Sequence, residues 1–130
     1  MALETPTFPI RPPGDLSSCY VRPDELDWEP MCDGIDMKVL VRDEETGLFT
    51  GLFRLAPGAV VPDHVHNELE QTWVVEGTFS DQDGDAHAGE FIWRPAGNRH
   101  EAFSREGCII LGFFLKPNTF LKELPKTTAS

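Results

Sequence analysis

The stretch Gly58-Ala-Val-Val-Pro-Asp-His64-Val-His66-Asn-Glu-Leu-Glu70-Gln-Thr-Trp-Val-Val-Glu-Gly77 decides how this chain is read. It is rich in β-branched residues and broken by Pro62, and it places two histidines one residue apart. On a strand, residues i and i+2 project from the same face about 6.5 Å apart. Two imidazoles so placed can converge on one metal ion with bonds of about 2.0–2.1 Å. The competing reading is a pair of exposed or hydrogen-bonded surface histidines.

The other ionisable residues bear on that choice. The chain has four His. His100 follows the strand-like run Phe91 to Arg94 across the Pro95-Ala96-Gly97 turn, where a hairpin can return it to the same interior. Glu70 stands four residues after His66 and begins the apolar stretch Gln71 to Val75, a costly place for a carboxylate without a partner. A divalent cation is one such partner. Glu68 competes for that role, because an uninterrupted strand would put residues 64, 66, 68 and 70 on one face. His87, in Asp85-Ala86-His87-Ala88-Gly89, belongs to a solvated turn.

Working outward, the same strand-and-turn pattern continues in both directions. Met37 to Val41, the Glu45-Thr46-Gly47 turn and Leu48 to Leu55 predict a hairpin. Gln71 to Val75 predicts a strand that Gly77 stops, and Asp81-Gln82-Asp83-Gly84-Asp85 a hairpin turn. Gly107 to Leu115 is a long apolar strand ended by Pro117. Eleven Gly and eleven Pro leave little room for helices, and no segment holds a 3.6-residue period. The expectation is an all-β barrel or sandwich over residues 36–116, with an extended proline-rich arm over 1–35 and a polar tail over 117–130. Asp81 to Asp85 is not a calcium loop, since its glycine falls fourth and no bidentate Glu closes it. Ser80 and Ser104 lack the flanks of a nucleophile elbow and read as hydrogen-bonding residues.

Composition narrows the classes further. At 130 residues there is room for one domain, and three Trp with nine Phe supply its core. Against 11 basic side chains stand 22 acidic ones, for a net charge of -11, which argues against nucleic acid and anionic membranes as partners. No apolar run reaches spanning length and MALETPTFPIRPP lacks the marks of a secretion signal, so the expected location is the cytoplasm. Cys19, Cys32 and Cys108 form no C-x-x-C pair and read as ordinary thiols. Arg54 and Arg94, each inside an apolar strand, call for an acceptor, either an acidic side chain or a substrate oxygen.

Two spaced motifs carry a family resemblance. Gly58-x5-His64-x-His66-x3-Glu70-x6-Gly77 resembles the first cupin motif at every anchor. Gly89-x5-Pro95-x-Gly97-x2-His100 resembles the second, with Ser104 where that motif usually has Asn. Within that superfamily, Val75 to Gly89, Arg94 to His100 and Phe103 to Cys108 look like the ChrR-type cupins, over about residues 37–116. The resemblance implies a small jelly-roll-like β-barrel whose mouth binds one divalent metal through His64, His66, Glu70 and His100, with Glu70 and His100 also counted as catalytic.

Four protein ligands leave about two positions open on an octahedral ion, which suits Fe²⁺, with Zn²⁺, Mn²⁺ or Ni²⁺ as alternatives. One carboxylate and three neutral imidazoles give a site of net charge about +1, matched to an enolate chelate. The leading expectation is an Fe(II)-type dioxygenase acting on a small enolisable ketone of the β-diketone or hydroxy-ketone class. A non-catalytic zinc-binding sensor of the ChrR kind and a metal-dependent isomerase, lyase or cyclase are the rivals. Trp73, Trp93, Phe91, Phe103 and Phe113 are candidate pocket walls, although strand alternation turns half of such residues away from a lumen. A homodimer is the family expectation, with the arm available to pair with a neighbour's sheet edge.

Overall fold

The computed structural model describes residues 2–120, without the side chains of Thr119 and Phe120. Buried positions alternate with more open ones along Phe49–Leu55 and over much of Cys108–Phe114, and the sheet follows from that alternation. The expected hairpin forms from β3 (Ile35–Asp43) and β4 (Phe49–Leu55), which pair antiparallel. In β4, Gly51, Phe53 and Leu55 face inward while Arg54 is exposed. β10 (Cys108–Phe114) lies against β4 and turns Cys108, Ile110 and Gly112 inward.

Ahead of the hairpin come β1 (Leu3–Glu4) and β2 (Glu29–Cys32), and a 3-10 turn at Pro23–Glu25. After it come β5 (Val60–Val65), β6 (Glu70–Asp81), β7 (Gly84–His87), β8 (Phe91–Arg94) and β9 (Arg99–Phe103), with β11 (Thr119–Phe120) beyond β10. The strands run β1-β3-β4-β10-β6-β9-β5-β11, with β2 on β3 and both β7 and β8 on β6. The sheet curls over a core that includes Ile35, Phe53, Leu55, Val74, Phe79, Ala102 and Ile110. Phe49, Phe53 and Phe114 add an aromatic cluster, with the Phe49 and Phe114 rings stacked at 4.5 Å. The fold is the expected all-β curled sheet.

The 12-residue β6 serves both halves of the curl. Its first part pairs with β10 and β8, and its last part with β7 and, at Ser80, with β9. Gly77 sits at the bend with φ 74°, so it redirects the strand instead of stopping it, as its sequence position had suggested. A Cβ there would lie 2.1 Å from the carbonyl oxygen of Gly107, so both conformation and contact demand glycine.

The arm is tied to its own chain. β1 and β2 both pair with β3 of the same chain. Lys38 Nζ donates to the Pro23 carbonyl at 2.7 Å, and the Trp28 ring packs against both Lys38 and Arg54. Arg54 finds its acceptor in Asp36 at 2.7 Å. Of the polar tail expected over 117–130, residues 121–130 lie outside the described residues.

Gly77→Ala should lower unfolding stability by at least about 2 kcal/mol, the cost of a left-handed non-glycine residue with a backbone clash added. Gly58, also left-handed at φ 83° but with open space around its Cβ position, should lose less when replaced by Ala. Urea unfolding of the two variants checks this; equal losses would contradict it.

Candidate metal centre

Pro62 cannot donate to a sheet ladder, and the register of β5 on β9 slips between Val61 and His64. Past that irregularity His64 stands directly opposite His100 on β9. β5 ends at Val65, and His66 is held just beyond it by two backbone hydrogen bonds. Its N–H donates to Asn98 at 2.9 Å and its carbonyl accepts from Gly97 at 2.7 Å. The Pro95-Ala96-Gly97 turn thus fixes His66 as well as delivering His100. Glu70 opens β6, so the four residues arrive from three separate places in the fold. The uninterrupted strand over residues 64–70 does not form; Glu70 is buried while Glu68 lies outside the cluster, half-buried.

His64, His66, Glu70 and His100 are all buried, and one ligand atom from each lies within 4.8 Å of the others. The three imidazole rings form a triangle with centroid distances of 4.5, 4.7 and 4.8 Å. His87 lies elsewhere, exposed, its Nδ1 3.1 Å from the Thr78 hydroxyl.

The surroundings fix which ring nitrogens face inward. His64 Nδ1 lies 2.8 Å from the Pro62 carbonyl, and His66 Nδ1 lies 3.0 Å from Asn118 Oδ1 and 2.5 Å from Glu70 Oε2. His100 Nδ1 is 3.4 Å from Asp81 Oδ2, a charge contact without full hydrogen-bond alignment. The acceptors behind His64 and His66 place a proton on each Nδ1 and turn each Nε2 lone pair inward, whereas His100 Nδ1 makes no hydrogen bond. The Nε2 atoms of His66 and His100 are 2.7 Å apart. At that distance the two nitrogens either share one proton in a hydrogen bond or bind one cation in its place. That pairing, with the Glu70 carboxylate beside it, is the donor set of a divalent metal site.

Charge balance around the cluster is tight. Burial, then the charges of His64 and Arg94, lowers His66 to about 4. Burial followed by Arg94 lowers His100 to about 3, and burial also lowers His64. The imidazoles are therefore neutral at pH 7, as metal ligands must be. Burial raises the Glu70 carboxyl, against the opposing pull of Arg94 and of Thr72, whose hydroxyl donates at 3.1 Å.

Arg94, itself buried, donates to Glu70 Oε1 at 3.3 Å and to Asp81 Oδ2 at 2.9 Å. It is thus engaged by two acidic side chains of the protein. Burial works to raise the Asp81 carboxyl, but Arg94 and the Asp83 N–H outweigh it and hold the group below its ordinary value. Its Oδ1 accepts from the Asp83 and Gly84 backbone, so one carboxylate closes the β6–β7 turn and backs the metal cluster.

A small cavity of about 60 Å³ reaches the cluster, lined by His64, Glu70 and His100 at one end. Apolar side chains such as Ile35, Phe53, Leu55, Phe79 and Ile110 form the rest, with Asn118 as an added polar group. None of the five aromatics proposed as pocket walls belongs to it. Trp73, Phe91, Trp93 and Phe113 are exposed, and Phe103 is half-buried beneath Arg105. Inward-facing Glu70 sets the phase of β6 and inward-facing Arg94 that of β8, which turns residues 73, 91 and 93 outward. Asn118 and Asp81 are not among the residues singled out by sequence: the first follows the last predicted strand, and the second opens a stretch that reads as a plain hairpin turn.

A curled β-sheet carrying three histidines and a glutamate at its mouth defines a cupin with a metal-site cluster. The ChrR cupin-like domain family matches residues 16–116, and the chain belongs to it. Among solved structures, the chain is similar to a proposed acetylacetone dioxygenase of Methylibium petroleiphilum PM1. The identity is 26%, with 83% of each chain covered and a TM-score of 0.76. An acetylacetone dioxygenase from Acinetobacter johnsonii shares the fold at 20% identity, with a TM-score of 0.76 over 95% of this chain and 91% of that one. The anti-sigma factor ChrR, solved with Rhodobacter sphaeroides SigE, aligns at 25% identity and a TM-score of 0.62; 72% of this chain covers 51% of that structure's chain. A comparison with curated protein sequences finds no match. Among the described residues no helix is long and apolar enough to cross a membrane.

Asp81→Asn removes the anion behind His100 and should weaken Zn²⁺ binding about 10- to 100-fold. Competition titration with a chromophoric chelator measures this, and an unchanged affinity would contradict the assigned role. The lowered histidines also fix a pH dependence. Below pH 6.5 the unfolded chain takes up protons that the folded imidazoles refuse, so the metal-free protein should lose stability from about pH 6.5 towards pH 4. The urea midpoint should drop between pH 7 and pH 5, and drop less in His100→Gln. An equal drop in the variant would contradict the assignment.

Proposed function

We propose that the protein is an Fe(II)-dependent dioxygenase acting on a small, enolisable, largely apolar ketone of the β-diketone class. The observation that carries this reading is the pairing of a three-histidine, one-glutamate cluster with a cavity whose other walls hold no acid or base. When bound, a divalent iron would supply an electrophilic centre that can hold an enolate chelate and oxygen together.

The chain's own residues do the rest. His64, His66, Glu70 and His100 hold the ion and leave about two positions for other ligands. Glu70 supplies one negative charge, so a bound divalent ion keeps about one positive charge to attract an enolate. Its hydrogen bonds to Arg94 and Thr72 hold the carboxylate in one orientation. Ile35, Phe53, Leu55 and Ile110 exclude water and fit alkyl substituents. A site that holds a water centre in about 10–15 Å³ implies, for about 60 Å³, a ligand of on the order of five heavy atoms in the enclosed part. The names of the similar structures, acetylacetone dioxygenases, agree with a substrate of that size and polarity.

Two other readings stand beside it. An isomerase, lyase or cyclase needs a proton-transferring group that is not a metal ligand, and the cavity lining offers only the neutral amide of Asn118 beyond the cluster. A zinc-holding sensor is favoured by the family match and by the likeness to ChrR.

Protein loaded with Fe²⁺ should consume oxygen in step with loss of the enolate absorbance of acetylacetone, and His64→Ala and His100→Ala should abolish this with loss of bound metal. Tightly held zinc together with no oxygen uptake by the iron form on any simple β-diketone would sink the dioxygenase reading and leave the sensor.

A further inference from the structure

Part of the cavity wall comes from the arm. Met31 belongs to β2, in the stretch whose sequence predicts an extended arm outside the barrel, yet it lines the same cavity as His64, Glu70 and His100. A local break in the ladder brings it there. β2 pairs with β3 through Pro30 opposite Asp36 and Cys32 opposite Ile35, which leaves Met31 without a partner residue. Met31 is thus the extra residue of a β-bulge.

In a regular strand, successive side chains point to opposite faces. Here Cys32 is buried and Met31, beside it, is half-buried and lines the cavity, so two successive side chains turn inward. Bulges re-aim side chains in this way next to active sites. Pro30 has no N–H to donate, and it is tolerated because β2 pairs with β3 alone among the described strands.

The bulge is fastened on both sides. After it, the carbonyl of Gly34 accepts from the Ala56 N–H at 2.8 Å, and a Cβ on Gly34 would come within 3.1 Å of the Ala59 Cβ. Before it, Pro23 and Trp28 are held by Lys38 and Arg54. Met31 is therefore a placed side chain on a held backbone.

Register gives the end of the cavity that it occupies. Glu70 shares a row with Phe114 and Phe49, whereas Ile35 shares one with Leu55 and Cys108 at the other end of the same strands. The facing strands run in the same order, from His64 opposite His100, through Val61 opposite Ala102, to Ala59 against Gly34. Met31, next to Ile35 in the ladder, stands at the end away from the metal ligands. A ligand with its oxygens at the metal cluster extends its hydrocarbon end towards Met31.

The neighbours of Met31 are less free to vary. Ile35 and Leu55 are buried in paired strands, so truncating either opens a hole in the core. Met31 is half-buried on an edge strand, and the unbranched methionine side chain adapts to irregular space. A change of volume there alters the cavity at little cost to the fold.

We infer that Met31 is a specificity-determining residue, which sets how long an apolar tail the metal-bound ligand can carry. The role rests on the reading proposed above in that the ligand holds the metal through oxygen and the cavity through hydrocarbon; it does not require turnover.

Straight-chain hydroxamic acids, from acetohydroxamic to octanohydroxamic acid, test it by isothermal titration calorimetry on zinc-loaded protein. A hydroxamate grips a divalent ion through its oxygens whatever reaction the protein performs. In the wild type, affinity should rise about four-fold for each methylene added until the tail reaches Met31, and then fall. Met31→Ala removes Cγ, Sδ and Cε, so the limit should move to longer tails, with octanohydroxamic acid bound at least ten-fold tighter than by the wild type. Met31→Val, the milder truncation, should move the limit in the same direction and serves if Met31→Ala does not fold. Met31→Leu should keep the wild-type limit. So should Met37→Ala, because Met37 packs on the same core without lining the cavity. Zinc stoichiometry should match the wild type in every variant, which shows the metal site intact. A limit that stays in place in the truncated variants, or moves equally in Met37→Ala, would overturn the inference. So would a zinc form that binds no hydroxamate, or binds all of them alike. Oxygen uptake separates the two readings: an iron form inactive on every β-diketone sinks the dioxygenase alone, and normal uptake with an unmoved limit sinks the role of Met31 alone.

Discussion

Two imidazole nitrogens, Nε2 of His66 and of His100, face each other at 2.7 Å inside the mouth of a small β-barrel. Acceptors stand at the far side of each ring: an amide oxygen and a carboxylate at His66 Nδ1, and the Asp81 carboxylate near His100 Nδ1. Burial keeps both rings neutral at pH 7, the state in which imidazoles bind metal. A divalent cation fits in place of the proton between them, and much of the neighbouring architecture serves to hold these rings where the cation needs them.

Several local features of the chain then share one purpose. Pro62 disturbs β5 so that His64 faces His100. The Pro95-Ala96-Gly97 turn grips the backbone of His66 while returning the chain towards His100. Gly77 bends β6, so that the strand beginning with Glu70 at the cluster ends with Asp81 behind it. Arg94 spans the two carboxylates, so Glu70 and Asp81 are coupled through one guanidinium. A change at the β6–β7 turn is therefore felt at the metal cluster, although no residue of the turn other than Asp81 touches it.

Much of this was legible in the sequence. The spacing of His64, His66, Glu70 and His100 marked the cluster, and the turn residues marked the hairpins, because both are local signals. Spacing alone leaves Glu70 and Glu68 level; the motif resemblance picks Glu70, and the structure gives the reason, since β5 ends at Val65 and no single strand carries residues 64 to 70. The orientation of the aromatics could have been read from parity: once Glu70 and Arg94 face inward, residues 73, 91 and 93 must face outward. Asp81 escapes that rule, because the bend at Gly77 shifts the phase of β6 so that Phe79 and Ser80 are both buried. Asn118 left no local signal, since its place beside His66 depends on the chain returning after β10 to pair with β5. Ser104, standing where the second cupin motif usually has Asn, donates instead to the Thr78 carbonyl at 2.6 Å and ties β9 to β6.

The most direct test of the central claim is X-ray absorption spectroscopy at the metal edge of protein loaded with one equivalent of iron or cobalt. The geometry predicts a first shell of nitrogen and oxygen only, at about 2.0–2.2 Å. It also predicts outer-shell scattering that requires three imidazoles per ion. A spectrum fitted by one imidazole or none, or by sulfur in the first shell, would show that the ion is held elsewhere, and would contradict the site built from His64, His66, Glu70 and His100.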